Sequence, residues 1–286
     1  MSILRDWHPG DPSRLFYQIR QRRPLLDRAE GVYLWDREGK RYLDGCSGAM
    51  VSNIGHGNRR VLDAMKQQMD RAAFGYRLHF ENEPAERLAT LIADLCPPGH
   101  EKVFFVSGGS EAVESCTKLA RQYALAKGEG SRWQVISRNP SYHGSTMGAL
   151  AVTGYRPLTD PFMPMMRRMP QLPAPRCYLD HDDLSDEERG LRYADMLRDK
   201  ILELGPETVL AFIMEPVGGA STGALVAPDI YYGRIREICD EFGVLLIYDE
   251  VMSGAGRTGR YLAAEHWNIK PDIIALAKGL AAGYAP

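Results

Sequence analysis

From about residue 100 to 280 the chain alternates short apolar runs with longer amphipathic stretches. The runs are Lys102 to Val106, Trp133 to Ser137, Val209 to Met214, Val244 to Tyr248 and Asp272 to Leu276. They have strand length and little polar alternation, the pattern of strands buried on both faces. Between them, helical periodicity predicts helices from the glycines at 108–109 to about Lys127, from Leu184 to Leu204, and from Pro228 to Phe242. This alternation predicts an α/β fold, with a mostly parallel central sheet and helices on both faces. The segment from Asn139 to Tyr178, rich in Pro, Gly and Met, breaks the rhythm and predicts a long irregular stretch.

The first hundred residues read differently. Val32 to Trp35 and Arg41 to Leu43 flank the turn-like Asp36-Arg37-Glu38-Gly39-Lys40, which predicts a hairpin. Val61, Leu62, Met65 and Met69 fall on one helical face. A second amphipathic helix begins near Pro84, with Leu88, Leu91, Ile92 and Leu95 on its apolar side.

Composition narrows the classes. The 286 residues are 44% hydrophobic and 25% charged, ordinary for a globular protein, and the net charge of -2 favours neither nucleic acid nor an anionic membrane. The basic clusters Arg20-Gln21-Arg22-Arg23 and Arg167-Arg168 are short and read as solvated surface. The five cysteines are scattered and never form Cys-x-x-Cys, which opposes a disulfide framework and a zinc site. Met1 to His8 has no apolar core of signal-peptide length, and no run approaches the ~20 apolar residues of a membrane helix. The expected location is cytoplasmic, with no membrane and no nucleic-acid partner.

Four features carry candidate chemistry. Ser107-Gly108-Gly109-Ser110-Glu111-Ala112 lets a glycine turn open a helix, where backbone N–H groups and the dipole favour a phosphate; Ser110 as a plain N-cap is the simpler alternative. Asp249 ends a buried apolar run, where a carboxylate needs a cationic partner such as a protonated pyridine nitrogen. A capping or metal-binding Asp is the alternative, but the seven His show no ligand spacing. Lys278 ends another apolar run and precedes Gly279, so it is either a desolvated, Schiff-base-forming amine or a snorkelling side chain. Tyr142, in the loop Ser141-Tyr142-His143-Gly144-Ser145, either stacks on a planar ligand or packs within its loop.

In this order the motifs resemble those of the class III aminotransferases, enzymes of the omega-amino-acid:pyruvate type that use pyridoxal 5'-phosphate (PLP). The resemblance rests on Asn53-Ile54-Gly55-His56-Gly57, Asn82-Glu83-Pro84-Ala85, Ser107 to Ala112, Tyr142-His143-Gly144, Glu215-Pro216, Asp249-Glu250-Val251, Gly254 to Gly259 and Lys278-Gly279. It implies PLP-dependent transferase fold type I: a large domain with a seven-stranded sheet, a smaller domain, and a homodimer. Residues 1–57 would belong to the small domain and 58–286 to the large PLP-binding domain. Lys278 would be the catalytic Schiff-base lysine and Asp249 the partner of the pyridine nitrogen. Gly109 and Ser110 would hold the phosphate, with Tyr142 on one ring face and Val251 on the other. Glu215 and His143 would stand behind the cofactor. Met50 occupies a substrate-pocket position that often carries tryptophan, which implies a different substrate preference. The implied reaction moves an amino group from an amine or omega-amino acid donor to a keto acid. Family members continue well past the position of Pro286, so the C-terminal part of the small domain is expected to be missing.

Three other readings compete. Gly254-Ala255-Gly256-Arg257-Thr258-Gly259 spells a dinucleotide fingerprint, but Asp249 to Ser253 intervene after the strand and no long helical pattern follows. A decarboxylase, phospho-lyase or aminomutase would use the same Asp249 and Lys278. An inactive PLP-binding fragment would keep the fold alone.

Overall fold

Six consecutive apolar residues, Val209–Met214, form β6, and all six are buried. The computed structural model describes residues 8, 11–16 and 21–286. The expectations for residues 1–7 and for Arg20 therefore fall outside the described residues. Around β6 lie β4 (Gln134–Asn139), β5 (Gln171–Pro173), β7 (Leu245–Asp249) and β8 (Ile273–Ala275). Their order is β5-β4-β6-β7-β8, and every neighbouring pair is parallel.

Side chains alternate across this sheet and meet helices on both faces. On one face Ala211, Ile213 and Ile247 pack with Val113, Cys116 and Ala120 of α4 (Gly109–Ala126). On the other, Phe212, Met214 and Tyr248 pack with Leu197 and Ile201 of α7 (Asp186–Leu204) and Tyr232, Ile235 and Ile238 of α8 (Asp229–Phe242). A capping box between Ser185 and Glu188 starts α7. Gly243, at φ +62°, ends α8 in the left-handed conformation that glycine adopts without penalty.

Three expectations need correction. The apolar run from Lys102 to Val106 is not a strand, and Phe104 and Phe105 are exposed. A strand exists by pairing, and no described segment pairs with this one. The central sheet accordingly has five strands among the described residues, not seven. The stretch from 139 to 178 is more ordered than its composition suggests. It contains α5 (Met147–Val152), whose last four residues are buried, the single turn α6 (Arg156–Thr159), and the edge strand β5.

Nearer the N-terminus, β1 (Leu26–Glu30), β2 (Tyr33–Asp36) and β3 (Arg41–Leu43) form a separate antiparallel sheet. The predicted hairpin is β2–β3, and β1 adds to it. A kinked turn, α1 (Ser47–Met50), follows. Next come α2 (Arg59–Arg71), capped by Asn58, and α3 (Glu83–Leu95), capped by Asn82. The apolar faces of both helices are largely uncovered: only Ile92 is buried, while Met65, Met69, Leu88, Leu91 and Leu95 are exposed. The Tyr284 hydroxyl fastens this region to the end of the chain, donating to Gly55 O at 3.0 Å and accepting from Asn58 N at 2.7 Å.

Candidate active site

Polar residues collect at the carboxyl ends of the parallel strands, where α/β sheets place their ligands. Asp249 ends β7, Glu215 follows β6, Arg138 lies near the end of β4, and Lys278 comes three residues after β8. Asp249 pairs in register with Ala275 of β8, so the carboxylate and the lysine sit on neighbouring strand ends.

Asp249 is buried and its oxygens are committed. Oδ1 accepts from Val251 N at 3.1 Å, and Oδ2 meets His143 Nδ1 at 2.8 Å. The His143 side chain is wholly buried, and its backbone N–H donates to Thr153 Oγ1 at 3.0 Å. Its other ring nitrogen, Nε2, has no partner among the described residues. The imidazole thereby fixes the orientation of this carboxylate.

Lys278 opens a short 3-10 turn (Lys278–Leu280) at φ +48°, a left-handed conformation in a non-glycine residue. Such strain gathers where function requires it. Burial holds the Lys278 amine below the ordinary lysine pKa, opposed by the charges of Asp249 and Glu215 and assisted by Arg257. A partly desolvated amine of lowered pKa is a competent nucleophile.

The helix-start motif sits against both groups. A Cβ on Gly109 would lie 2.9 Å from Val251 Cγ1 and 3.5 Å from Ala277 Cβ, so the start of α4 touches the residues after Asp249 and before Lys278. Only glycine fits there without displacing Val251. Ser110 lies inside the helix and is not its N-cap; its Oγ accepts from Ser145 N at 3.0 Å. Gly144, at φ +136°, allows this approach, because a Cβ would fall 2.7 Å from Ser110 Oγ. Tyr142 lies in the same loop and is 37% exposed, so its ring is available rather than packed away.

Glu215 is buried, with Oε1 accepting from Gly219 N at 3.1 Å and Oε2 3.9 Å from Arg138 Nη2, without a hydrogen bond among the described residues. Burial pushes its pKa up, while His143 and Arg138 pull it down. Met50, at φ +60°, is reached through its carbonyl, which accepts from Arg257 Nη2 at 3.3 Å; the same guanidinium also bonds the Asn53 side chain. The α1 turn thereby packs beside the Lys278 turn. The fingerprint-like Gly254 to Gly259 forms turns rather than a helix start, which removes the structural basis of a dinucleotide site.

Arg138 and Arg257 were not singled out from the sequence. Arg138 falls just past the run from Trp133 to Ser137, between Ser137 and Asn139, and no local pattern marks it.

An anion-ready helix start, an oriented carboxylate and a strained, half-buried lysine gather at the carboxyl ends of the sheet, an arrangement suited to pyridoxal 5'-phosphate. Their donor chemistry fits the cofactor: N–H groups for the phosphate, an acceptor for the ring nitrogen, and an amine for the aldehyde. The Aminotransferase class-III family profile matches residues 17–286, and the chain belongs to that family. It is 44% identical over 264 residues to the uncharacterized aminotransferase YodT of Bacillus subtilis, covering 92% of this chain and 59% of that protein. It is 38% identical to the putrescine–pyruvate aminotransferase of Pseudomonas aeruginosa, covering 92% and 58%. Among solved structures, an (S)-enantioselective omega-transaminase from Thermomicrobium roseum superposes with a TM-score of 0.89 at 40% identity, over 98% of this chain and 62% of that one. A PLP-bound amine transaminase from an uncultivated Pseudomonas species gives 0.87 at 35% identity, over 98% and 63%. The chain thus spans about three fifths of the length of these relatives. The fold is that of the PLP-dependent transaminases, and the cofactor of the family is PLP.

Proposed function

We propose that this chain carries the cofactor-binding part of an aminotransferase that moves an amino group from an amine or omega-amino acid to a keto acid. The observation that carries this reading is the placement of Lys278 and Asp249 on neighbouring strand ends, with the start of α4 touching the chain beside both. When bound, PLP supplies an electron sink that stabilises negative charge at the substrate carbon. Lys278 Nζ would provide the covalent attachment point and the group that takes and returns a proton. Asp249, oriented by His143, would be the acceptor for the ring nitrogen and would hold its proton in place. The first N–H groups of α4, with Gly109 and Ser110, would bind the phosphate, and Tyr142 and Val251 would contact the ring. The described residues within 1–57 would serve as part of a small domain, with Met50 on the substrate side.

The similarity to a putrescine–pyruvate aminotransferase and to omega-transaminases supports an amine or omega-amino acid donor and a keto acid acceptor. A homodimer is supported by uncovered aromatic and aliphatic groups: Phe74, Leu78 and Phe80 are 82%, 74% and 72% exposed. Five free cysteines support a reducing, cytoplasmic setting, and no helix among the described residues is long and apolar enough to cross a membrane. The deciding experiment is an amine-donor panel on the PLP-loaded protein, read by cofactor absorbance. Conversion to pyridoxamine phosphate by an amine or omega-amino acid is the expected result. Carbon dioxide or phosphate release without that conversion would transfer the chain to a lyase reading.

A further inference from the structure

The loop from Gly45 to Gly55, which carries Met50, is closed at its base. His56 donates through its backbone to Gly31 O at 2.8 Å and accepts from Gly31 N at 2.9 Å. Its ring Nε2 meets Asp44 Oδ2 at 2.9 Å, and Asp44 Oδ1 accepts from Gly48 N at 3.1 Å. Within the loop, Ser47 (φ +51°) and Met50 (φ +60°) are left-handed without being glycine. Such conformations persist only where the surroundings over-determine them.

Those surroundings are the Lys278 turn and Arg257. The Arg257 guanidinium donates through Nη2 to Met50 O at 3.3 Å and to Asn53 Oδ1. The other end of the Asn53 carboxamide lies against Gly279, the residue after the lysine. A Cβ on Gly279 would overlap Asn53 Nδ2 and fall 3.1 Å from Asn53 Cγ. Gly279 is not left-handed, so the space taken by Asn53, rather than the backbone, is what excludes a side chain there. The same turn touches the loop again at Gly283, where a Cβ would lie 3.5 Å from Ser52 Oγ and 3.6 Å from Val51 Cγ1. Arg257 lies at the surface, so its bonds hold the loop without burying a charge.

We propose that Asn53 is a positioning residue that keys the Met50 loop to the Lys278 turn: Arg257 aims its carboxamide, and the carboxamide fills the notch that Gly279 leaves. The donor-side wall and the reactive amine then keep one spacing, which sets how well an amine donor is held before reaction. The inference rests on the reading of Lys278 as the reactive lysine and of Met50 as substrate-side.

The first test is hydrogen exchange in the cofactor-free chain, followed by mass spectrometry of peptides covering residues 44–56 and 278–286. Asn53→Ala is expected to speed exchange about tenfold in both segments together, with β6 unchanged. Gly279→Ala should loosen both segments by displacing Asn53, and in the Asn53→Ala background it should add nothing. Circular dichroism identifies a variant that fails to fold. The surface substitution Arg257→Met, expected to give a smaller paired change, keeps the keying testable in that case. The second test is conversion of the PLP-loaded chain by putrescine, an amine of the proposed donor class. If the freed loop is in register about one fifth of the time, half-saturation rises about fivefold while the plateau rate stays within about twofold. Faster exchange in only one segment, or a wild-type pattern in folded Gly279→Ala or Arg257→Met, overturns the proposal. So does a double variant looser than Asn53→Ala, or a plateau that falls while half-saturation stays. Failure of the aminotransferase reading would appear separately, as a wild-type chain that putrescine does not convert, and the exchange comparison would then decide the keying.

Discussion

Helices α3 and α7 both carry an apolar stripe, yet they meet different fates. In α7, Ala194, Leu197 and Ile201 are fully buried against the sheet. In α3 only Ile92 is buried, and Leu91 keeps 56% of its surface exposed. Periodicity therefore reports that a helix has a face to cover, but not what covers it. The same division runs through the site. The groups assigned to the cofactor come from the well-packed half, at the ends of β6, β7 and β8 and the start of α4. Met50, the residue assigned to the substrate side, comes from the loosely covered half; Arg257 bonds its carbonyl and the side chain of nearby Asn53.

The strongest way to separate the halves is to remove chemistry without touching the packing. Lys278→Ala should abolish the covalent bond to PLP entirely, leaving no borohydride-trapped label by mass spectrometry, with the far-ultraviolet spectrum unchanged. A trapped label at another lysine would show that the strand-end assignment is wrong. Next in size is packing itself. Phe212 is fully buried in β6, so Phe212→Ala should cost about 3–5 kcal/mol in urea unfolding. Leu91→Ala, from the exposed face of α3, should cost less than about 1 kcal/mol. Equal costs would mean that α3 is covered in solution, as in the proposed dimer, and repeating the measurement over a range of protein concentration would then locate the cover.

A smaller effect tests the contact between the phosphate end and the ring end. The Cβ of Gly109→Ala would press on Val251, and cores repay such crowding with about 1–2 kcal/mol, or roughly a tenfold loss of PLP affinity. Val251→Ala in the same protein should recover most of that loss, as followed by equilibrium titration of the visible band. If the double variant binds no better than Gly109→Ala, the clash is not the cause.

Much of the sheet could be read in the sequence because its strands are uninterrupted apolar runs, as in Val209–Met214 and Leu245–Asp249. The misreadings have one physical source. Val103 to Val106 looks the same locally but lacks a neighbour to bond, and strand formation is decided by the neighbour. Leu26–Glu30 has a weak strand sequence, Leu-Asp-Arg-Ala-Glu, and forms β1 because β2 is beside it. Within the site, Asp249 and Lys278 stood out as charges ending apolar runs. The bond from His143 to Asp249 joins residues 106 positions apart, and no local pattern encodes it.

The smallest effect concerns what the lysine costs the fold. Lys278 is held below the ordinary value of 10.5 because its ammonium loses water on folding, and the opposing pull of Asp249 and Glu215 does not fully compensate. A group whose folded pKa is depressed favours folding at pH values above its unfolded pKa, and that contribution is lost as pH falls through the folded value. At neutral pH the folded cofactor-free protein therefore carries a penalty for the charged amine, and above 10.5 the amine is neutral in both states and the penalty vanishes. Lys278→Met should accordingly stabilise the cofactor-free chain at pH 7 by less than about 1 kcal/mol, since the site is half-buried and partly screened. That gain should shrink as pH rises toward the unfolded lysine value. Urea unfolding of both proteins at pH 7 and pH 10 gives the two differences directly. A gain that is the same at both pH values would assign it to the methionine side chain's packing, and would remove desolvation of Lys278 as the reason the strand-end site is destabilised relative to the sheet that supports it.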